Sequence, residues 1–213
     1  MGLAIPIETS ARHIHMCRED FEKIFGAGRT LTYKADLSQP GQYVAEERLT
    51  VRGPKGSFEN VAILGPFRPE TQLEISMTDS RKLGIPGIIR QSGDTKDTPG
   101  CTLIGPEGTL DIDHGVIVAK RHIHMTPVQS IQLNVKDGDE VFVIMESYER
   151  SLIFADVIVR VNPDFALAMH VDTEEDNELA NSSPTGVILK RFGGRTYNLQ
   201  KWADELQSGI NRL

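Results

Sequence analysis

The feature that most constrains the fold is a pentapeptide that occurs twice. Arg-His-Ile-His-Met stands at residues 12–16 and again, 109 positions later, at residues 121–125. Each copy follows a short apolar run that favours a β-strand. A fainter similarity relates residues 60–63 to residues 156–159 at an offset of 96, so the first half carries about 13 extra residues. Chance identity over five residues is improbable in a chain this short, and we infer an internal duplication.

Short β-branched or alternating runs, separated by Pro and Gly, predict a mainly β chain. The runs are residues 44–51, 59–64, 72–77, 140–145 and 152–161. Their even spacing favours barrels over βαβ units. We therefore expect two similar β-barrel domains with short helices. Residues 1–110 would form the first, with an inserted helix at 19–27, and residues 111–190 the second.

The C-terminal extension, residues 191–213, has a different pattern. Apolar residues recur there at helical spacings of three and four, at Leu199, Trp202, Leu206, Ile210 and Leu213. This spacing predicts a C-terminal amphipathic helix. It would either pack on its own domain or another subunit, or dock on another protein.

Composition and charge exclude several classes of protein. Thirty acidic against 23 basic residues give a net charge of −7, whereas a general nucleic-acid binder is usually basic. The sequence contains no run of 18 apolar residues, so we expect no membrane span. Two cysteines could form only one disulfide, which is too few to stabilise a chain of 213 residues, and this favours reduced thiols in the cytoplasm.

The two His-x-His pairs are candidate metal ligands. Residues i and i+2 of a strand project from the same face, so two imidazoles so placed can bind one divalent ion. The offset of 96 relates Glu74 to His170, and each lies between apolar neighbours as a possible third ligand. The candidate sets are His13, His15 and Glu74 in one half, and His122, His124 and His170 in the other. Both sets suit zinc, with Co2+ or another divalent ion as an alternative. Exposed histidines on a surface strand, and an outward-facing Glu74, are the competing interpretations.

Other candidate residues carry weaker signals. Arg68 precedes Glu74 on a connecting loop and could bring an anion-binding group to the metals, although an ordinary surface arginine is the alternative. The polar loop at residues 90–100 could surround a phosphorylated ligand but lacks P-loop spacing. We expect Cys17 to be a half-buried structural thiol, because the second copy has Thr126 there, and His114 to lie at the surface or in a turn.

Several further segments, together with the duplicated pentapeptide, carry a family resemblance. They are Gln39-Pro40-Gly41-Gln42-Tyr43, Gly53-Pro54-Lys55-Gly56, Glu74-Ile75-Ser76-Met77-Thr78-Asp79, Ser92-Gly93 with Thr98-Pro99-Gly100, and Met169-His170-Val171-Asp172-Thr173. With these motifs, residues 3–180 resemble the PduL-type phosphotransacylases (phosphate propanoyltransferases).

The resemblance implies two β-barrel domains with a dinuclear zinc site between them. It implies reversible transfer of a short acyl group, propanoyl, between coenzyme A and inorganic phosphate. The six candidate ligands would hold two Zn2+ ions, Arg68 would bind phosphate, and Ser92 and Gly93 would contact coenzyme A. We expect direct attack by phosphate without an acyl-cysteine. A metal-dependent thioesterase and a non-catalytic barrel module tied by zinc remain open alternatives.

The resemblance also concerns partners and location. It implies a homo-oligomer and a role in propanediol degradation. Family members packaged in bacterial microcompartments often carry an N-terminal targeting extension, whereas only twelve residues precede His13. The C-terminal helix is then the candidate element for docking to microcompartment shell or core proteins. We expect a cytoplasmic protein, with the interior of a microcompartment as the alternative.

Overall fold

The computed structural model describes residues 3–146, 150–177 and 184–189, in which β-strands predominate. One sheet contains nine strands: β2 (His13–His15), β3 (Tyr33–Asp36), β4 (Tyr43–Arg52), β5 (Ser57–Gly65), β6 (Gln72–Glu74), β7 (Ile89–Arg90), β8 (Cys101–Ile104), β9 (Thr109–Ile112) and β10 (Val116–Ala119). The other is a closed barrel of six: β1 (Ile5–Ser10), β11 (His122–Met125), β12 (Glu140–Met145), β13 (Leu152–Val161), β14 (Ala168–Asp172) and β15 (Thr185–Leu189). The helices are α1 (Arg18–Phe25), α2 (Met77–Leu83), α3 (Pro127–Leu133) and α4 (Thr173–Asn177).

The two sheets repeat the same strand order, which confirms a mainly β fold built on a duplication. The barrel runs β1-β14-β11-β13-β12-β15, and the larger sheet contains the matching order β10-β6-β2-β5-β4-β8. The barrel closes because β15 pairs with both β12 and β1. In the larger sheet β8 pairs with β4 while the two-residue β7 pairs with β10. No described strand bridges β4 and β10, so this sheet stays open.

Each half contributes one strand to the sheet of the other half. The N-terminal β1 pairs in parallel with β14 of the barrel, and β10 pairs in parallel with β6 of the larger sheet. Both strands then continue into a His-x-His strand of the opposite sheet, β2 or β11. A cut of the chain at residue 110 therefore does not separate the two sheets. The domain bounds at 110 and 190 stay a prediction, and the predicted C-terminal helix lies outside the described residues.

Two hydrophobic cores fix the His-x-His strands. Ile14, the central residue of β2, is fully buried in the core of the larger sheet, and Ile123 is fully buried in the core of the barrel. Full burial of such a side chain contributes about 1.5–3 kcal/mol. Because side chains alternate along a strand, anchoring the isoleucine turns both flanking histidines to the opposite face.

Two sequence-based expectations about the local elements were wrong. The helix expected at 19–27 exists as α1 but is not an insertion, because α3 is its counterpart in the second half. The first half is longer in the segment after α1, where residues 26–42, which include β3, correspond to residues 134–139 of the second half. The strand expected at 72–77 ends at Glu74, because the Ser76 hydroxyl accepts from the Asp79 backbone N–H and caps α2. None of the helices in the described residues is long and apolar enough to cross a bilayer.

Candidate metal centre

The duplicated fold places the candidate ligands at equivalent register positions. In the larger sheet, β2 and β6 are antiparallel and His13 stands opposite Glu74. In the barrel, β11 and β14 are antiparallel and His122 stands opposite His170. The offset of 96 seen in the sequence thus corresponds to a shared position in the two sheets. Each His-x-His pair acquires its third neighbour from the adjacent strand.

The first triad, which consists of His13, His15 and Glu74, is buried and carries one negative charge. The Glu74 Oε2 lies 3.6 Å from His13 Nε2, and its Oε1 accepts hydrogen bonds from Ser92 Oγ and Gln72 Nε2, both at 2.7 Å. Burial raises the pKa of Glu74, but His13, His15 and the Ser92 hydrogen bond outweigh it and lower that pKa to about 2. The carboxylate is therefore ionised, with Oε2 directed at the histidines.

The second triad, which consists of His122, His124 and His170, is made of imidazoles alone. The three ring centroids are 4.6 to 5.1 Å apart. Burial, followed by the neighbouring histidines, lowers the pKa of His122 to about 4 and that of His124 to about 2. The pKa of His170 is also lowered, mainly by burial. These rings are neutral at pH 7, which is the form that binds metal ions.

The free ring nitrogens fit a metal ion. The Nδ1 atoms of His13 and His122 lie 2.8 and 2.9 Å from the backbone oxygens two residues earlier, which leaves each Nε2 for a ligand. Buried nitrogens of three other rings have no hydrogen-bond partner: His15 Nδ1, His124 Nδ1 and His170 Nε2. Within each triad the possible ligand atoms all lie within 4.8 Å of one another. Each triad thus contains at least one buried ring nitrogen without a hydrogen-bond partner, and both triads supply the nitrogen and oxygen ligands that suit a zinc-type divalent ion.

Both triads line a single cleft with a volume of about 410 Å³. The strand exchange accounts for this placement. Glu8 of β1 pairs in register with His170, and Ile117 of β10 pairs in register with Glu74. Each exchanged strand therefore runs beside the third ligand of one triad and leads directly into the histidines of the other.

Two arginines, Arg68 and Arg160, bring positive charge into the cleft. Arg68 Nη1 donates to Ser92 Oγ at 2.9 Å, and Arg160 of β13 pairs in register with His124. Burial lowers the pKa of both guanidinium groups, while the nearby Glu74 favours their charged form. No carboxylate of residues 3–146, 150–177 and 184–189 forms an ion pair with either arginine. Arg160 was not among the residues expected from the sequence, where its one signal was a basic residue within a largely apolar strand.

The extra loop of the first half covers part of the cleft. The Gln39 side chain donates from Nε2 to the Ala166 carbonyl at 3.0 Å and accepts from the Ala166 N–H at 3.2 Å. The neighbouring Phe165 ring lies 4.2 Å from the His124 ring. This amide pairing joins residues 26–42 to the second half, a contact that sequence reasoning did not predict.

The remaining candidates occupy other places. Cys17 does not line the cleft; it is half-buried as expected, and Thr71 Oγ1 donates to its sulfur at 3.6 Å. His114 lies at the surface as expected, with half of its side chain exposed. Ser92 lines the cleft and is hydrogen bonded to Glu74 and Arg68, and the Gly93 N–H donates to Gln72 Oε1 at 2.7 Å.

Comparison with known sequences gives one consistent result. The profile of the family described as phosphate propanoyltransferase matches residues 6–182. A phosphate propanoyltransferase of Thermotoga maritima is 54% identical over 188 residues, which cover 88% of this chain and 90% of the relative. One from Enterococcus faecalis is 50% identical over 185 residues, covering 86% and 87%. One from Salmonella typhimurium is 48% identical over 180 residues, covering 84% and 85%.

Proposed function

The chain belongs to the phosphate propanoyltransferase family of phosphate acyltransferases, and from this premise we propose that it transfers a propanoyl group between coenzyme A and inorganic phosphate at two zinc ions. The family supports the reversible acyl transfer itself. The metal centre and the roles of individual residues are our own inference. The observation that carries it is the opening of both triads, with their unpartnered ring nitrogens, into one cleft that Arg68 and Arg160 also line.

The six ligands would hold two ions whose ligand sets differ in charge. His13, His15 and Glu74 would hold one ion, and His122, His124 and His170 the other. The first triad contributes one negative charge and the second none, so two divalent cations would leave a net positive charge on the six-ligand centre. Bound zinc would supply a Lewis acid that polarises a carbonyl and stabilises an anionic oxygen or thiolate. Co2+ or another divalent ion can replace zinc in such a donor set.

Arg68 and Arg160 are suited to bind the phosphate. Phosphate must approach the thioester as an anion, and a guanidinium group donates two parallel hydrogen bonds to its oxygens. The Ser92 hydroxyl fixes the direction of Arg68. Neither arginine has a described carboxylate as an ion-pair partner, so both charges are available for a dianion. Holding the two reactants together in one cleft is worth up to about 7–11 kcal/mol of barrier in favourable cases.

We propose that phosphate attacks the thioester directly. An oxygen of phosphate forms a bond to the carbonyl carbon, the carbon–sulfur bond breaks, and coenzyme A departs as its thiolate. An acyl-cysteine needs a thiol at the reacting carbon, but neither Cys17 nor Cys101 lines the cleft. Cys101 is buried in the core, and burial raises the pKa of its thiol to about 12. Both cysteines are therefore poorly placed to act as nucleophiles.

Several parts of the assignment rest on the sequence alone. Contact of Ser92 and Gly93 with coenzyme A stays a prediction, and the hydrogen bonds of Ser92 to Glu74 and Arg68 favour an additional positioning role. Homo-oligomerisation, a cytoplasmic or microcompartment location, and docking to shell or core proteins also stay predictions. The helix proposed for docking lies outside the described residues.

Free thiol release from propanoyl-CoA tests the function directly. Zinc-loaded protein is assayed with a thiol reagent in the presence and absence of inorganic phosphate, and the acyl phosphate is quantified as its hydroxamate. We expect release that requires phosphate and one equivalent of acyl phosphate for each thiol. Release that is independent of phosphate identifies a thioesterase instead. Absence of release under both conditions contradicts the proposal and favours the structural module.

A further inference from the structure

The arginine that opens each pentapeptide is not among the candidate ligands. Arg12 donates from Nε and Nη2 to the two carboxylate oxygens of Asp79, at 2.9 and 2.8 Å. Its guanidinium also lies 4.1 Å above the ring of Phe58. The Asp79 side chain is only 5% exposed, so this carboxylate depends on Arg12 for compensation of its charge.

The second half contains a corresponding trio of an arginine, a phenylalanine and an acid. Arg121 Nε lies 3.3 Å from Glu175 Oε1, and its guanidinium lies over the Phe154 ring at 5.6 Å. The arginines are related by the offset of 109 residues, whereas the phenylalanines and the acids are both related by 96. Aspartate in one half is replaced by glutamate in the other. The shared feature is thus the ion pair over an aromatic ring and not the identity of the acid.

Each trio joins the start of a His-x-His strand to a neighbouring strand and to the helix that follows the third ligand. In the first half the arginine directly precedes His13 on β2, Phe58 lies on β5, and Asp79 lies on α2, five residues after Glu74. In the second half the corresponding elements are β11, β13 and α4, which follows the strand of His170. The His-x-His strand is thereby fixed to the segment that carries the third ligand.

We propose that the arginine–phenylalanine–acid trios are positioning clamps that hold the third ligand of each triad against its His-x-His strand. One clamp is Arg12, Phe58 and Asp79; the other is Arg121, Phe154 and Glu175. This inference rests on the proposed metal centre. The donors of each triad come from strands that lie far apart in sequence, and outer contacts that orient ligands commonly affect metal affinity about 10- to 100-fold.

The two clamps differ in strength. The Arg12 clamp has two short charge-assisted hydrogen bonds to a buried acid. The Arg121 clamp has one 3.3 Å contact to an acid whose side chain is 25% exposed, and burial raises the pKa of that Glu175. Loss of Arg12 should therefore perturb its triad more than loss of Arg121 perturbs the other.

A crossed set of variants tests the clamps through metal affinity. His124→Ala disables the second triad and leaves the first, and His15→Ala does the reverse. Arg12→Ala and Arg121→Ala are each introduced into both backgrounds, and Zn2+ dissociation constants are measured by competition with a chelating dye. Arg18→Ala is the matched control, because Arg18 also lies over an aromatic ring, Phe67, and beside an acid, Glu22, but joins no ligand strand. Circular dichroism monitors folding.

We expect each arginine to affect its own triad alone. Arg12→Ala should weaken the His13–His15–Glu74 site about 10- to 100-fold and the other site less than about threefold. Arg121→Ala should give the reverse pattern with a smaller effect, and Arg18→Ala should change neither site. If Arg12→Ala is poorly folded, Arg12→Lys replaces it; lysine keeps the charge but not the paired hydrogen bonds, so a smaller loss at the same site is expected.

The results that would contradict the clamps differ from those that would contradict the metal centre. Unchanged affinities, or equal losses at both sites, overturn the clamps while leaving the metal centre intact. A wild-type protein that binds no zinc overturns the metal centre itself, and the clamps with it.

Discussion

Replacement of Ser92 by alanine tests how the cleft is organised. The Ser92 hydroxyl donates to Glu74 Oε1 at 2.7 Å and accepts from Arg68 Nη1 at 2.9 Å and from Gln72 Nε2 at 3.0 Å. It therefore links a proposed metal ligand to the proposed phosphate-binding residue. Alanine removes these three contacts and introduces no new group. Gln72 Nε2 still donates to Glu74, so the larger consequence falls on Arg68.

The magnitude follows from the contact that is lost. A hydrogen bond to a charged group contributes about 1.5–3 kcal/mol. Glu74 keeps a second donor, so we count one such bond, that of Arg68. This corresponds to a loss of about 10- to 150-fold in kcat/KM, expressed mainly as a higher KM for phosphate because Arg68 loses its fixed direction.

The assay is the initial rate of phosphate-dependent thiol release over a range of phosphate concentrations, with zinc content and circular dichroism measured on the same samples. Ser57→Ala, an exposed serine at the start of β5, serves as the matched control and should behave as wild type. If a folded, zinc-loaded Ser92→Ala protein keeps its kcat/KM within about twofold, the reasoning is refuted.

Three further predictions address the rest of the site. Arg68→Ala and Arg160→Ala should each raise the KM for phosphate or lower kcat by at least about tenfold, because each removes a charge from an anion-binding cleft; unchanged phosphate kinetics removes the assigned role. Cys17→Ala should leave turnover nearly intact, and a loss above about a hundredfold in folded protein would support an acyl-cysteine. The free energy of unfolding of the metal-free protein should fall as the pH drops from about 6.5 to about 4. Burial and neighbouring histidines keep the pKa of His122 in the folded protein at about 4, whereas the same side chain in the unfolded chain binds its proton near pH 6.5. Urea titrations in chelator should show a slope of about 1.4 kcal/mol per pH unit for each such histidine, and a flat profile contradicts this explanation.

The duplication made much of the fold predictable. A repeated pentapeptide and an offset similarity were enough to place Glu74 and His170 at equivalent positions, because both halves preserve the same strand register. The alternating runs at residues 140–145 and 152–161 match β12 and β13 at both ends. Local periodicity is sufficient to predict the bounds of a strand where the strand is long and has one buried face.

The strand exchange was not predictable in the same way. β1 pairs with β14 across most of the chain, and no local pattern specifies a partner so far away in sequence. The helix α2 was missed although its signal is present, since Ser76 followed three residues later by Asp79 is a helix-start pattern. The apolar residues around Glu74 outweighed that pattern in the sequence analysis.

The residues of the cleft also differ in how well the sequence predicts them. Histidines in a repeated pattern are conspicuous, whereas Arg160 is one of two charged residues in a largely apolar strand and enters the cleft because β13 lies beside β11. The contact of Gln39 with Ala166 joins residues 127 positions apart and depends on the extra loop of the first half. Long-range contacts of this kind follow from the three-dimensional fold and not from spacing along the chain.

The position of bound zinc tests the central claim most directly. Crystals grown with zinc and measured at the zinc absorption edge should show two anomalous peaks in the shared cleft. One should lie about 2.0–2.2 Å from nitrogen and oxygen atoms of His13, His15 and Glu74, and the other at similar distances from His122, His124 and His170. A single peak, or peaks away from these six side chains, would contradict the two-metal account.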